Sequence, residues 1–238
     1  MNDLMPEALA TAAKMMGLGE EETARQIYYH QAKATGNPTA YLADFAYRTA
    51  LMALGSVDPA QPDGVVLDVP FVSQLGPDAN LSNGDCGPAC VAMCIAYAKR
   101  QAVTVNDLVR EMKALNRYTT ASDLIATLKA WGIASRNYGE FDRESGSLTL
   151  DVIEKALVNK KPVIALVNYG VLQPGKSFKG LHWVVVAGFH ETSLLVLDPL
   201  HEHVATGSYW VGKQTFELAL AYTKKLQAQA RHGIVVGP

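Results

Sequence analysis

The sequence predicts an α+β fold with an all-helical extension at its amino-terminal end. Before residue 60, apolar residues recur only at helical spacing. From Val65 onward, helical segments alternate with strand-like runs. Two of these runs, HWVVVAGF and SLLVLDP, are separated by a few polar residues, which is typical of an antiparallel hairpin. These patterns together predict helices combined with an antiparallel sheet.

The amino-terminal extension is predicted to be a helical module of residues 1–60, followed by a larger domain of residues 61–238. Three helices are expected in it, and the third begins at Asn37-Pro38. Four Lys/Arg against seven Asp/Glu make the module acidic, and the run DPAQPDG at 58–64 is typical of a linker. Three roles remain open for it: a helical cap on the main domain, a pro-segment, or a docking module for a partner protein.

The composition of the 238 residues is that of a globular protein with a sizeable core, since 49% are hydrophobic and the mean hydropathy is +0.04. A net charge of −2 without any Lys/Arg run argues against a nucleic-acid partner. The apolar runs are far shorter than the roughly 20 residues of a membrane span. The sequence therefore predicts a globular protein that has no membrane-spanning segment and no nucleic-acid partner.

The cysteine count and the start of the chain bear on cellular location. Three cysteines cannot form a closed set of disulfides, so free thiols in a reducing compartment are expected. The start MNDLMPEALATAAKMMG lacks the basic residues and continuous apolar core of a signal peptide. The predicted location is the cytoplasm, or an exported or virion-associated site reached without an ordinary signal peptide.

The larger domain is predicted to begin with the strand-like run VVLDVPFV, which ends just before Gln74. Thr149 is expected to cap a later helix. In chain order, the expected elements are helices near 88–101, 105–115 and 121–131, a strand IASRNYG, a helix at 150–159, a buried strand at 162–170, the hairpin, a strand near 204–211 and a helix near 215–229.

Cys86 is predicted to lie at the start of a helix. It follows the turn dipeptide Asn83-Gly84, and Pro88 is tolerated only in a first helical turn, so the helix should begin just after Cys86. Unpaired backbone N–H groups at a helix start favour anions, which here means a thiolate or an oxyanion. Cys86 is therefore a candidate nucleophile.

The predicted hairpin brings a base and an acid towards each other. It starts with His182 and ends with Asp198, and paired strands lie about 5 Å apart, so the carboxylate can reach the imidazole. A thiol nucleophile needs a base, and the base needs a partner that fixes its tautomer. Gln74 could add a side-chain N–H donor for an oxyanion, next to the backbone N–H of Cys86.

Structural roles are the alternative for each of these residue types. Asp85 fits an N-cap better than a catalytic carboxylate. Cys90 and Cys94 fit buried apolar positions on the same helix better than thiolate ligands of a metal. His201 and His203 share one strand face, for which solvent exposure or a groove edge is the favoured interpretation over metal binding. No metal or cofactor is expected.

Four motifs occur in order: VPFVSQ, DCGPACVAM, LHWVVVAGF and VLDPL. Over roughly residues 65–215 they resemble the papain-fold cysteine peptidases related to the bacteriocin-processing, double-glycine leader peptidases. The resemblance implies a two-lobed α+β fold, with a nucleophile at a helix N-terminus packed against an antiparallel sheet. It implies Cys86 as nucleophile, His182 as general base, Asp198 as its orienter and Gln74 as oxyanion donor.

The predicted function is that of a cysteine-nucleophile hydrolase of peptide or amide bonds, with a peptide or peptidoglycan as substrate. One alternative is a peptidoglycan peptide hydrolase or amidase delivered by a phage particle or a secretion system. A non-catalytic binding module and a thiol acyltransferase on the same fold are two others.

Overall fold

The structure is a computed structural model that describes residues 64–76, 84–115, 117–142, 144–201, 207–226 and 228–237. The predicted helical module of residues 1–60, the domain boundary after it and His203 lie outside the described residues. None of the helices in the described ranges is both long enough and apolar enough to cross a membrane.

One antiparallel sheet organises the described part of the chain. Its seven strands are β1 (Val65–Val66), β2 (Ser135–Tyr138), β3 (Val163–Asn168), β4 (Leu181–Phe189), β5 (Ser193–Leu197), β6 (Ser208–Gly212) and β7 (Gly233–Val236). The strands lie in the order β2-β7-β3-β4-β5-β6, and β1 pairs with β4. β3 and β4 are central, and their long apolar runs follow from burial on both faces.

The helices of the described residues are α1 (Cys86–Lys99), α2 (Val105–Glu111), α3 (Ala121–Ala130), α4 (Leu150–Val158), α5 (Tyr169–Leu172) and α6 (Lys213–Ala221). A 3₁₀ turn at Tyr222–Leu226 follows α6. Threonine side chains cap α2, α3 and α4 by accepting backbone N–H bonds, and the Thr149 cap was predicted. Helix boundaries thus follow local capping chemistry.

Helix α1 is enclosed by other elements of the described part of the chain. Every residue from Gly87 to Ile95 is buried, and the helix contacts β4, α2 and α3. A helix that is apolar all round has to be enclosed, since one exposed face would leave apolar surface in water. Helix α1 packs against β4, and α3 packs against β2 and β7. This confirms the predicted α+β fold, in which the helix that begins at Cys86 packs against an antiparallel sheet.

The predicted hairpin is strands β4 and β5. Val185 pairs with Leu197 and Val186 with Val196, with an irregularity between Val186 and Gly188. Continued in this register, the two strands bring His182 at the start of β4 near the residues that follow β5. The hairpin therefore sets the distance between His182 and Asp198, on which the candidate site depends.

Two predicted elements differ from the structure, and one strand of the structure was not predicted. Only Val65–Val66 of VVLDVPFV form a strand, and the next residue continues alongside β4 through a bond from Leu67 N–H to the Ala187 carbonyl. The last helix ends at Ala221 rather than near 229. β7 was not predicted, because four residues are too few to show a strand pattern.

Candidate active site

Cys86 is the first residue of α1 and is partly exposed, whereas the helix behind it is buried. The helix thus starts at Cys86 itself, one residue earlier than predicted. Asp85 occupies the N-cap position as predicted, although its side chain makes no capping hydrogen bond. The first turn of a helix has backbone N–H groups without intrahelical partners, so Cys86 sits where an anion is favoured.

The segment that precedes α3 passes close to the start of α1. A Cβ on Gly87 would collide with the Thr119 hydroxyl, and one on Gly84 would lie 2.9 Å from the Tyr118 ring. The indole N–H of Trp183 donates to the Thr119 carbonyl at 3.4 Å, which ties this segment to β4. Glycine on either side of Cys86 therefore lets this segment lie directly against the start of α1.

His182 and Asp198 form a buried pair. The His182 Nε2 atom lies 2.7 Å from Asp198 Oδ1, and the two side chains are 2% and 0% exposed. His182 is the second residue of β4 and Asp198 directly follows β5, as the predicted hairpin required. Because Nε2 is taken by Asp198, the hydrogen bond between His182 and the Cys86 side chain is left to Nδ1.

The surroundings of His182 favour its protonated form. Burial by itself lowers the pKa of this imidazole, but the hydrogen bonds and negative charges of Asp198 and Cys86 outweigh burial and raise it from 6.5 to about 9. The pKa of Asp198 shifts in the opposite direction, downward. Burial raises its pKa, but the His182 hydrogen bond and charge bring it below the usual value. The pair is therefore an imidazolium facing a carboxylate at neutral pH.

Gln74 reaches this region through the backbone. Its N–H donates to the Pro199 carbonyl at 2.9 Å, one residue beyond Asp198, and its side-chain oxygen is buried without a hydrogen-bond partner. The structure thus brings Cys86, His182 and Asp198 into one hydrogen-bonded set and places Gln74 beside the Asp198 end of that set. The oxyanion role of Gln74 stays a prediction.

The family model described as the Peptidase C39 like family matches residues 66–228. The chain belongs to this family. It is therefore a papain-like cysteine peptidase, and the resemblance noted in the sequence is confirmed. A C39-like peptidase from Bacillus anthracis shares its fold, with 18% identity, a TM-score of 0.53, and coverage of 74% of this chain and 98% of that chain.

Two peptidase domains of transporters are also similar to this C39-like chain. The peptidase domain of Streptococcus ComA, a bi-functional ABC transporter involved in a quorum-sensing pathway, is 18% identical with a TM-score of 0.47, covering 71% of this chain and 98% of that chain. A double glycine motif protease from an AMS/PCAT transporter, solved with the leader peptide, is 18% identical with a TM-score of 0.47, covering 75% and 99%. No curated protein matches the chain.

Two tyrosines that the sequence did not single out surround Asp198 in this C39-like peptidase. The Tyr169 hydroxyl donates to Asp198 Oδ2 at 3.0 Å and the Tyr209 hydroxyl at 3.3 Å, while Leu200 N–H donates to Oδ1 at 3.0 Å. The Tyr169 ring also meets the His182 ring edge-on, with centroids 4.8 Å apart. Each Asp198 oxygen thus has two partners, which holds the carboxylate ionised and in place.

The other cysteines and His201 have structural surroundings. Cys90 and Cys94 are fully buried in α1, and burial raises the pKa of both thiols, so their predicted role as apolar core residues is confirmed. Exposure was the wrong expectation for His201, which is buried and packs on the Tyr209 ring at 5.5 Å. Within the described ranges, no three metal-binding side chains converge.

Proposed function

We propose that Cys86, His182 and Asp198 are the catalytic triad with which this C39-like peptidase cleaves peptide bonds. The observation that supports the proposal most strongly is the continuous hydrogen-bonded set from a partly exposed thiol at a helix start to a fully buried carboxylate. A thiol, a base and an orienting acid in this order are the groups that covalent acyl transfer requires.

The proposed reaction begins with the proton that His182 has taken from Cys86. The Cys86 sulfur attacks the carbonyl carbon of the scissile bond, and the carbonyl π electrons move onto oxygen. When the tetrahedral intermediate collapses, the C–N bond breaks and the His182 imidazolium gives its proton to the leaving nitrogen. The acyl group remains on sulfur as a thioester, and His182 is neutral again.

The second half of the reaction releases the acyl group. Neutral His182 takes a proton from water, the resulting hydroxide attacks the thioester carbon, and the C–S bond breaks. The products are a carboxylic acid and the Cys86 thiolate beside the His182 imidazolium. Asp198 stays ionised throughout, because its four hydrogen bonds stabilise the carboxylate and it accepts from the histidine N–H in both halves.

Gln74 is the proposed side-chain donor to the oxyanion. One feature supports this role: the Gln74 N–H donates to the Pro199 carbonyl at 2.9 Å, which fixes the residue near Asp198. The backbone N–H of Cys86, in the first helical turn, is the second proposed donor. Loss of one such donor in other enzymes slows catalysis about 10²–10³-fold.

The triad proposal is tested with Cys86→Ala, with Cys90→Ala as the matched control in the same helix. We expect Cys86→Ala to lose roughly 10⁴-fold or more in cleavage of denatured casein, and Cys90→Ala to stay within a few-fold of wild type. Iodoacetamide at sub-stoichiometric amounts should label Cys86 far faster than the two buried cysteines. Equal labelling of the three, or an active Cys86→Ala, would contradict the proposal.

The same assay separates substrates. Cleavage of casein supports a protein substrate, whereas clearing of purified peptidoglycan with intact casein would move the substrate to cell-wall peptides. A fast-reacting Cys86 with neither material cut would favour a thiol acyltransferase or a latent enzyme.

A further inference from the structure

A half-exposed phenylalanine stands beside the candidate catalytic histidine. Phe178 is 43% exposed, and its ring centroid lies 6.4 Å from that of His182 in an edge-to-face arrangement. It also meets the Tyr169 ring, with centroids 5.6 Å apart. The ring is thus held on one side by protein contacts, and part of its surface faces solvent.

The loop between α5 and β4 holds this ring in place. The Tyr169 N–H donates to the Gly180 carbonyl at 3.0 Å, and Lys179 Nζ donates to the Pro174 carbonyl at 2.6 Å, which closes the loop on itself. A Cβ on Gly180 would lie only 2.5 Å from the tip of the Phe178 ring. The position of the ring therefore depends on glycine at 180.

The chemistry of the triad says which part of a substrate this ring would meet. A general acid has to come within hydrogen-bond distance of the leaving nitrogen, so His182 lies on the leaving-group side of the scissile bond. A ring that packs against His182 borders the same side. A held aromatic face that remains partly in water gains free energy when an apolar side chain covers it.

We propose that Phe178 is a specificity-determining residue that forms one wall of a subsite beside His182. The subsite accepts an apolar side chain on the residue whose nitrogen leaves. This inference rests on the proposed function, because it takes His182 as the proton donor to that nitrogen. Phe178 itself takes no part in proton transfer.

The first test maps cleavage sites in denatured casein by mass spectrometry. Wild type should prefer large apolar residues directly after the cut. In Phe178→Ala, the ratio of cleavage before large apolar residues to cleavage before other residues should fall about tenfold. Gly180→Ala, which displaces the ring without removing it, should lose part of it. Phe141→Ala is the matched control, since Phe141 is 72% exposed in the turn after β2. An unchanged preference in Phe178→Ala would overturn the inference.

A second test needs no turnover. Phenylalaninamide resembles a leaving group with an apolar side chain, and glycinamide resembles one without. Phenylalaninamide should slow alkylation of Cys86 in wild type more than glycinamide does, and the difference should vanish in Phe178→Ala. Equal protection by both amides in wild type would overturn the inference, while a slowly alkylated Cys86 would overturn the triad itself.

Discussion

At the scale of single residues, the main feature of the candidate site is the set of hydrogen-bond donors around the Asp198 carboxylate. Asp198 is fully buried, and a buried carboxylate stays ionised only when its oxygens are hydrogen-bonded. His182 and Leu200 N–H serve one oxygen and two phenols serve the other. Burial and the charge of Asp198 also raise the pKa of Tyr209, so this phenol stays protonated as a donor.

Removing a phenolic donor should change the acid limb of the pH profile. In Tyr209→Phe the ionised Asp198 loses one hydrogen bond, so the pKa of Asp198 rises. As the pH is lowered, the variant should therefore begin to lose activity at a higher pH than wild type does. Tyr169→Phe should shift the limb in the same direction, since its bond to Asp198 is 3.0 Å long. The measurement is kcat/KM against pH on a casein-derived peptide.

The control for this shift is Tyr222→Phe, a change of the same kind at a tyrosine that is 38% exposed and lies in the 3₁₀ turn after α6. It should leave the acid limb where it is. A uniform loss of activity at every pH in Tyr209→Phe would show that the phenol only supports packing.

At the scale of elements, the start of α1 is limited by the segment that passes over it. Gly87 is buried, and the hydroxyl of Thr119 and a methyl group of Leu124 occupy the space around it. Close packing of this kind leaves no room for an added methyl group without movement of one partner.

Gly87→Ala should therefore destabilise the fold by about 1–3 kcal/mol and lower activity, because the movement occurs next to Cys86. Urea unfolding gives the change in free energy and casein cleavage the change in rate. Gly175→Ala is the control, since a Cβ there meets no described atom within 4 Å. Equal effects of the two substitutions would show that the α1 start is not tightly packed.

Elements and site differ in how far the sequence could predict them. Cys86, His182 and Asp198 were found because each lies at an element end, where a polar group among apolar runs is conspicuous. Tyr169 and Tyr209 have the same appearance as core residues. They lie 29 and 11 residues from Asp198 in sequence, Tyr169 at the start of α5 and Tyr209 on β6. Such partners become visible only when strand order and register are known.

The missed strand β7 has a similar explanation. β7 lies between β2 and β3, which are about 100 and 70 residues away in sequence. No local sequence pattern indicates such a strand. A Cβ on Gly233 would lie 2.7 Å from the Ile164 carbonyl, so β7 needs a glycine where strand propensity would favour a larger residue.

At the scale of the whole molecule, the buried pair couples folding to pH. The pKa of His182 is raised from 6.5 to about 9, so its contribution to stability is complete below pH 6.5 and is lost as pH rises to about 9. The pKa of Asp198 is lowered, so its contribution is present above its ordinary value of 3.8 and is lost on further acidification. The site is thus most stabilising in weakly acidic to neutral solution.

The free energy of unfolding should fall between pH 6.5 and pH 9.5, with a part of about 3 kcal/mol due to His182. Urea denaturation at a series of pH values measures it. His182→Gln cannot titrate, so the difference between wild type and this variant isolates the histidine from tyrosines, lysines and thiols. A difference that stays constant with pH would contradict the raised pKa.

The position of β7 also bears on when proteolytic activity can arise. Among the described strands, Gly233–Val236 leaves the ribosome last, yet it lies in the interior of the sheet and pairs with β3, the neighbour of the strand that carries His182. A nascent chain without it has a sheet divided in two. We therefore expect the nascent chain to become an active peptidase only after β7 has been translated. Before that point, the growing chain does not digest itself or its neighbours.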